Sequence, residues 1–176
     1  MGDSRETAGK QAGFTIIEMM VIIAILGILS AIAIPGFSEF GGRMSLKGAT
    51  RKIVSDMQYA KARALKDRVT WTMQFYPGSM QYTILSGTTP FKTVNLSDYN
   101  KVLMGSAHGD RPDEPDPGCG DGVSFEDDKI IFNSDGTSAS GSIYIKNNKG
   151  DTYAVGCTSA AGRIKSWHNY GSGWEG

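Results

Sequence analysis

The chain has 176 residues, 18 basic and 18 acidic side chains, and two cysteines. Its formal net charge of +0 gives no overall attraction to nucleic acid or to an acidic surface. The sequence contains no Gly-rich phosphate loop, no G-x-S-x-G elbow and no H-E-x-x-H pair. We therefore expect a protein that is not an enzyme and that carries no cofactor or metal.

Residues 1–13 are polar, with Arg5 and Lys10 as their cations, and lack an apolar run. A secretory signal has its small-residue cleavage site after the apolar region. Here the candidate processing residue, Gly13, precedes the apolar stretch 14–34. Residues 1–13 are therefore predicted to be a leader of another kind.

The stretch 14–34 is apolar apart from two hydroxyl residues and one charge, Glu18. As a helix it would be about 32 Å long, enough to cross a bilayer core of roughly 30 Å. We therefore predict a membrane-spanning helix over 14–35. A carboxylate inside such a span costs about 2.5 kcal/mol or more near the centre, so Glu18 is expected to be paired or functional. The alternative is a local role, at the interface or as a cap of the first helical turn.

The pattern G-F-T-x-x-E, formed by Gly13, Phe14, Thr15 and Glu18 ahead of the apolar stretch, resembles the class III signal of type IV pilins. This resemblance implies that a prepilin peptidase cuts between Gly13 and Phe14 and that the new Phe14 amine is methylated. It also implies that Glu18 meets the Phe14 ammonium of a neighbouring subunit and sets the register of assembly. Two opposite charges in an apolar medium attract strongly, and each is costly alone.

Pro35 and Gly36 follow the apolar stretch, and proline lacks the N–H that a helix interior needs. We predict a helix kink at Pro35, with simple termination of the helix as the alternative.

The second half of the helix, 36–67, has an apolar stripe with helical spacing. We interpret its charges, interrupted by Asp56 and Asp67, as a solvated face rather than a nucleic-acid patch. The stripe consists of Ala49, Ile53, Met57, Ala60 and Ala64.

After Asp67 the period changes to two, which predicts a β-rich head over 68–176. A hairpin is predicted from Val69–Tyr76 and Gln81–Leu85, joined by a Pro-Gly-Ser turn. The fold class is thus α+β, with one long N-terminal helix packed on an antiparallel sheet. Further strands are predicted at 101–104, 129–132, 142–146, 152–157 and 163–167.

Three segments of the head resemble a branch of the pilin superfamily that contains FimT/FimU-like minor pilins and H-type minor pseudopilins. The helical segment 55–71 matches D-x-Q-x-A-R-x-x-A, with Lys61 at the Arg position. Residues 130–145 and 159–167 resemble the later strands of that branch, including a "G-R-I" strand. Residues 86–128 match no motif of the branch.

The loop 105–122 is acidic and contains prolines and glycines. A calcium site is an alternative to a solvated acidic loop, but the spacing fits no EF-hand. Cys119 and Cys157 are predicted to form a disulfide, which would stabilise the head by roughly 4 kcal/mol. His108 and His168 lack zinc-ligand spacing and are expected to be exposed to solvent. The acidic residues of the loop are Asp110, Asp113, Glu114, Asp116 and Asp121.

The C-terminal segment 167–176 is aromatic and Gly-rich, so it either packs on the sheet or frays. Beside Arg163 and Lys165 its aromatics could also stack nucleic-acid bases.

The resemblance to this branch implies a minor type IV pilin of a Gram-negative bacterium. Such a protein is anchored in the inner membrane by one helix, has a periplasmic head, and later becomes part of a surface filament. Its implied partners are other pilin or pseudopilin subunits, the prepilin peptidase and the inner-membrane assembly platform. The alternatives are an H-type pseudopilin of a type II secretion system, a pilus-borne receptor for DNA uptake or adhesion, and a plain membrane-anchored domain.

Overall fold

The computed structural model describes residues 14–111 and 120–176. The chain divides between Glu39 and Phe40 into two compact units, which are described separately. One long helix is followed by eight strands within the described residues. These elements are α1 (Ile16–Asp67), β1 (Trp71–Tyr76), β2 (Gln81–Ser86), β3 (Thr89–Asn95), β4 (Val102–Met104), β5 (Lys129–Phe132), β6 (Gly141–Asn147), β7 (Thr152–Cys157) and β8 (Ile164–Asn169).

The ends of α1 follow ordinary helix chemistry. Glu18 in the first turn and Lys66 in the last turn complement the helix dipole. Arg68 has a left-handed φ of 54°, the conformation that commonly ends a helix. The bounds of α1 include Pro35, so the helix does not terminate there, and the kink at this residue stays a prediction.

By length and mean hydropathy together, no helix within residues 14–111 and 120–176 qualifies as one that could cross a membrane. The membrane-spanning helix over 14–35 is not confirmed by this finding and stays a prediction.

The second half of α1 supplies one side of the core of the head. Every member of its predicted apolar stripe has an exposed fraction of 0%, and Leu46 extends the stripe by one turn. Because these side chains repeat every three or four residues, they lie on one face of the helix. That face belongs to the same buried cluster as the inner residues of the strands. The predicted amphipathic helix is therefore confirmed.

The strands form two antiparallel four-stranded sheets, in the orders β3-β2-β1-β5 and β4-β6-β7-β8. The predicted α+β class is confirmed, but the strands form two sheets where one was expected. The predicted hairpin forms, with Trp71 opposite Ser86 and Tyr76 opposite Gln81. The predicted bounds 129–132 and 152–157 are those of β5 and β7.

Strand β3 was not predicted from the sequence. It lies at the edge of the first sheet, and its pairing with β2 shifts between Ile84 and Leu85. The shift leaves Phe91 as an extra residue, which is a β-bulge. The bulge and Pro90 interrupt the alternation by which a strand is recognised. A proline and a bulge on an edge also hinder pairing with a further strand.

The second sheet contains an unusually close approach of two backbones. A Cβ on Gly156 in β7 would lie 2.1 Å from the carbonyl oxygen of Gly141 and 2.5 Å from Oγ of Ser142. Both of these atoms belong to β6, the paired neighbour of β7. Only glycine fits at position 156 without moving the backbone of β6.

Candidate functional site: the apolar helix and the surfaces of the head

The first unit exposes large apolar side chains on every face of its helix. Phe14 is 70% exposed, Ile23 is 64% exposed and Ile32 is 73% exposed. A helix that is hydrophobic all round is normally buried in a large core or in lipid. Apolar surface of this kind marks a site of association. We call residues 14–32 the apolar segment.

Glu18 and Thr15 form the N-terminal cap of this segment. The backbone N–H of Glu18 donates to Oγ1 of Thr15 at 3.2 Å, which places Thr15 at the N-cap and Glu18 three residues later. This T-x-x-E order is that of a capping box. Phe14 directly precedes the cap. Gly13 lies outside the described residues, so cleavage after it stays a prediction, as does pairing of Glu18 with a neighbouring subunit.

The head contains a buried carboxylate, Asp56, on a helix face that was predicted to be solvated. Asp56 is only 6% exposed, which corrects that interpretation. It accepts hydrogen bonds from the Tyr82 hydroxyl at 2.7 Å and from Nζ of Lys52 at 2.6 Å, and Nζ of Lys92 lies 3.5 Å away. Burial, with this hydrogen bond to Asp56, raises the pKa of Tyr82 well above its usual range. Asp56, the first residue of the D-x-Q-x-A pattern, thus joins α1 to β2 and β3.

An aromatic patch lies beside this carboxylate. The bulge places Phe91 against Tyr59 of α1, with ring centroids 5.8 Å apart, and against the edge of buried Trp71 at 5.2 Å. The guanidinium of Arg63 lies over the Trp71 ring, 5.4 Å from its centroid. Tyr59 and Phe91 remain 40% and 51% exposed, so they form an apolar surface of the head.

A second surface is a groove of about 480 Å³ between α1, β7 and the segment after β8. Arg43 forms an ion pair with the buried carboxylate of Asp151 at 3.1 Å and covers the ring of Tyr170 at 5.2 Å. The hydroxyl groups of Tyr153 and Tyr170 are hydrogen-bonded to each other. We call this the basic groove, and it is lined by Phe40, Arg43, Met44, Lys47, Arg51, Tyr153 and Tyr170.

The C-terminal segment is ordered on the second sheet and does not fray. His168 and Glu175 exchange backbone hydrogen bonds of 2.8 and 2.9 Å. Arg111 lies 3.5 Å from the centre of the Trp167 ring, and Trp174 meets Tyr144 edge-on. These contacts partly cover the rings of Trp167 and Trp174, whereas Tyr170 remains 44% exposed.

The two histidines differ. His108 is exposed, as expected, whereas His168 is half-buried and stacks on Tyr153, so the expectation for His168 was wrong. Among the described residues no group of three or more metal-ligating side chains comes together. Three carboxylates of the acidic loop, those of residues 113, 114 and 116, lie outside the described residues.

Cys157 is fully buried in the core, and burial raises the pKa of its thiol. Cys119 lies outside the described residues, so the disulfide stays a prediction.

Comparisons with known proteins agree with this architecture. Residues 9–34 match the prokaryotic N-terminal methylation motif, and residues 49–162 match the family described as Type II transport protein GspH. The fold resembles the crystal structure of the type IV minor pilin FimU of Pseudomonas aeruginosa, with a TM-score of 0.52 and 17% identity, over 72% of this chain and 90% of that one.

Curated relatives match over shorter stretches. A fimbrial protein of Pseudomonas aeruginosa is 36% identical over 42% of this chain and 47% of its own length. The major pilin PilA of Myxococcus xanthus is 56% identical over 19% of this chain and 16% of its own length. The chain thus spans about half or less of the curated relatives that it matches.

A pilin-type helix ahead of two antiparallel sheets, together with the methylation motif, defines a protein of the type IV pilin superfamily. Within it, the chain belongs to the GspH family, whose profile matches well over half of its length. It is a pilin-like minor subunit or pseudopilin, as the FimT/FimU-type and H-type resemblance predicted.

Proposed function

We propose that this chain is a minor subunit of a type IV pilus, that it enters the filament at or near the tip, and that it supports assembly rather than catalysing a reaction. The observation that carries the proposal is the apolar segment, whose side chains are exposed on every face around a single charge. Such a surface is stable only when other apolar groups cover it. Before assembly the inner membrane would cover it, with the head in the periplasm, and in the filament neighbouring subunits would do so.

Glu18 would act in assembly by meeting the Phe14 ammonium of an adjacent subunit after cleavage. In an apolar filament core each of these charges is costly without the other. The proposed partners are other pilin subunits, the prepilin peptidase that creates the ammonium, and the inner-membrane assembly platform.

A second candidate is an H-type pseudopilin of a type II secretion system. It is favoured by the family match over residues 49–162, whose description names type II transport. In that case the filament would be a periplasmic pseudopilus. The order Ile32–Phe37, which resembles true pilins, favours the first candidate.

The experiment compares full-length wild-type protein with Glu18→Val in the native host. Both should be inserted and cleaved, because the substitution removes a charge from the apolar segment. Mass spectrometry of membrane fractions should find a methylated N-terminus at Phe14 in both. The amount in sheared surface filaments, normalised to the membrane level, should fall about tenfold or more for Glu18→Val.

The matched control is Thr15→Val, which removes the cap hydrogen bond and keeps the carboxylate. It should weaken the helix start by about 1 kcal/mol and leave incorporation near the wild-type level. Equal incorporation of wild type and Glu18→Val would refute the register role of Glu18. Wild-type protein found only with the secretion machinery, and never in sheared filaments, would establish the second candidate instead.

A further inference from the structure

The basic groove carries more positive charge than the head neutralises. Arg43, Lys47 and Arg51 lie four residues apart, so they form one row along the face of α1. Arg43 is paired with Asp151, while Lys47 and Arg51 form no ion pair with a described residue. Among the described residues that line the groove none is acidic. A ligand that brings carboxylates would therefore meet two available cations.

The groove is also partly apolar. Phe40 and Met44 lie on the same stretch of α1, and they are 64% and 60% exposed. Their spacing from Lys47 and Arg51 alternates between four and three residues, so apolar and basic side chains share one helix face. A ligand that complements this face carries apolar side chains as well as negative charge.

One face of each tyrosine ring in the groove is already occupied. Arg43 covers Tyr170, and His168 stacks on Tyr153 with ring centroids 5.7 Å apart. Nucleic acid without sequence preference is bound on open aromatic faces beside a basic track. Since both tyrosine rings already carry a partner and the formal net charge of the chain is +0, a protein ligand fits the groove better than a nucleic acid.

We propose that the basic groove binds a short peptide segment in which carboxylates alternate with apolar side chains, presented by another protein subunit. The carboxylates would reach Lys47 and Arg51, and the apolar side chains would cover Phe40 and Met44. A volume of about 480 Å³ is within the usual range for a ligand site and accommodates a few side chains. That the segment belongs to a filament partner rests on the function proposed above, whereas the binding itself does not.

The test uses purified full-length protein in detergent micelles and fluorescence anisotropy. The probe is a labelled pentapeptide, Glu-Leu-Glu-Phe-Glu, compared with Gln-Leu-Gln-Phe-Gln and with a labelled oligothymidylate of similar charge. The Glu peptide should bind about tenfold more tightly than the Gln peptide. It should also bind more tightly than the oligothymidylate, and its affinity should fall with added salt because the charges are exposed.

Charge reversal locates the binding. The double substitution Lys47→Glu and Arg51→Glu should weaken binding of the Glu peptide about tenfold. Lys66→Glu, an exposed lysine elsewhere on α1, is the matched control and should bind like wild type. The paired change Phe40→Ala and Met44→Ala should weaken binding of both peptides. The thermal unfolding midpoint of each variant confirms that it is folded.

Each opposite outcome overturns the proposal. These outcomes are equal binding of the Glu and Gln peptides, tighter binding of the oligothymidylate, undiminished binding in the Lys47→Glu and Arg51→Glu double variant, and no binding of any probe. Because the measurement needs no filament, loss of wild-type incorporation in cells would refute the pilus function and leave this result standing.

Discussion

Two stretches of the same helix, 16–32 and 46–64, differ in whether their apolar side chains are exposed or buried. In the second stretch the apolar residues form one stripe that is fully buried against the sheets. In the first stretch they point in every direction and remain exposed. The head therefore obtains its stability from its own core, whereas the apolar segment can be stabilised only by a medium or partner from outside the chain.

The largest expected effect separates the two stretches directly. Ile53→Ala should lower the free energy of unfolding of the head by about 4 kcal/mol, because it leaves a cavity in a closed core. Ile23→Ala removes a similar side chain from the apolar segment and should leave this free energy unchanged. Urea unfolding of the full-length protein in detergent, followed by tryptophan fluorescence, measures both. A comparable loss of unfolding free energy in Ile53→Ala and Ile23→Ala would contradict the distinction between a self-stabilised head and an apolar segment that is not part of its core.

The predicted disulfide concerns the head alone. If Cys119 and Cys157 pair, Cys119→Ser should lower the stability of the head by about 2–4 kcal/mol, since a long loop is no longer closed in the unfolded chain. Non-reducing peptide mapping of periplasmic protein should find the cross-linked peptide. Alkylation of both thiols in native protein would contradict the pairing, and the head would then depend on its apolar core without a cross-link.

Asp56 tests whether the head also depends on one polar contact. Asp56→Ala should cost about 2 kcal/mol, because the buried Tyr82 hydroxyl loses its acceptor. The loss of stability is limited because the side chains of Lys52 and Lys92 are 31% and 42% exposed, so their charges can be hydrated once Asp56 is removed. Asp67→Ala breaks the more exposed pair with Arg63 and should cost less than about 0.5 kcal/mol. Equal costs would show that Asp56 is not an anchor of the helix.

The smallest effect appears at high pH. The raised pKa of Tyr82 means that its neutral hydroxyl stabilises the folded head below the unfolded pKa of about 10, and that this contribution is lost as the pH rises further. Burial lowers the pKa of Lys52, but its side-chain hydrogen bonds and the nearby negative charges together raise this pKa, which acts in the same direction. Between pH 9.5 and pH 11 wild type should lose about 1 kcal/mol more than Tyr82→Phe. Parallel pH profiles would contradict this assignment.

Much of the head could be predicted because its signals are local. The stripe from Ala49 to Ala64 repeats at the helical period, and the alternation from Trp71 to Phe75 repeats at the strand period. A Pro-Gly-Ser turn joins the first hairpin as expected, although it forms a short 3-10 helix. Each of these patterns is fixed by neighbours a few residues away, and each is confirmed.

The missed features depend on residues that are distant in the sequence. In the sequence Asp56 looks like any charged residue on the polar face of an amphipathic helix. Its burial depends on Tyr82, which comes from β2 and is 26 residues away. Phe91 enters a bulge whose register is set by β2, and His168 is enclosed by Tyr153 from a different strand. The basic groove likewise joins α1 to β7 and the C-terminal segment. No pattern in a single stretch indicates such encounters.

The missing side chain of Gly156 also bears on the register in which β6 and β7 pair. If β7 slipped by one residue against β6, Val155 or Cys157 would replace the glycine, and its Cβ would collide with the carbonyl oxygen of Gly141. A slip would also turn the apolar residues of β7 towards solvent. The close approach therefore favours the native register of β6 and β7 over a register shifted by one residue. A side chain at position 156 would remove this preference, because it would collide with β6 in the native register as well.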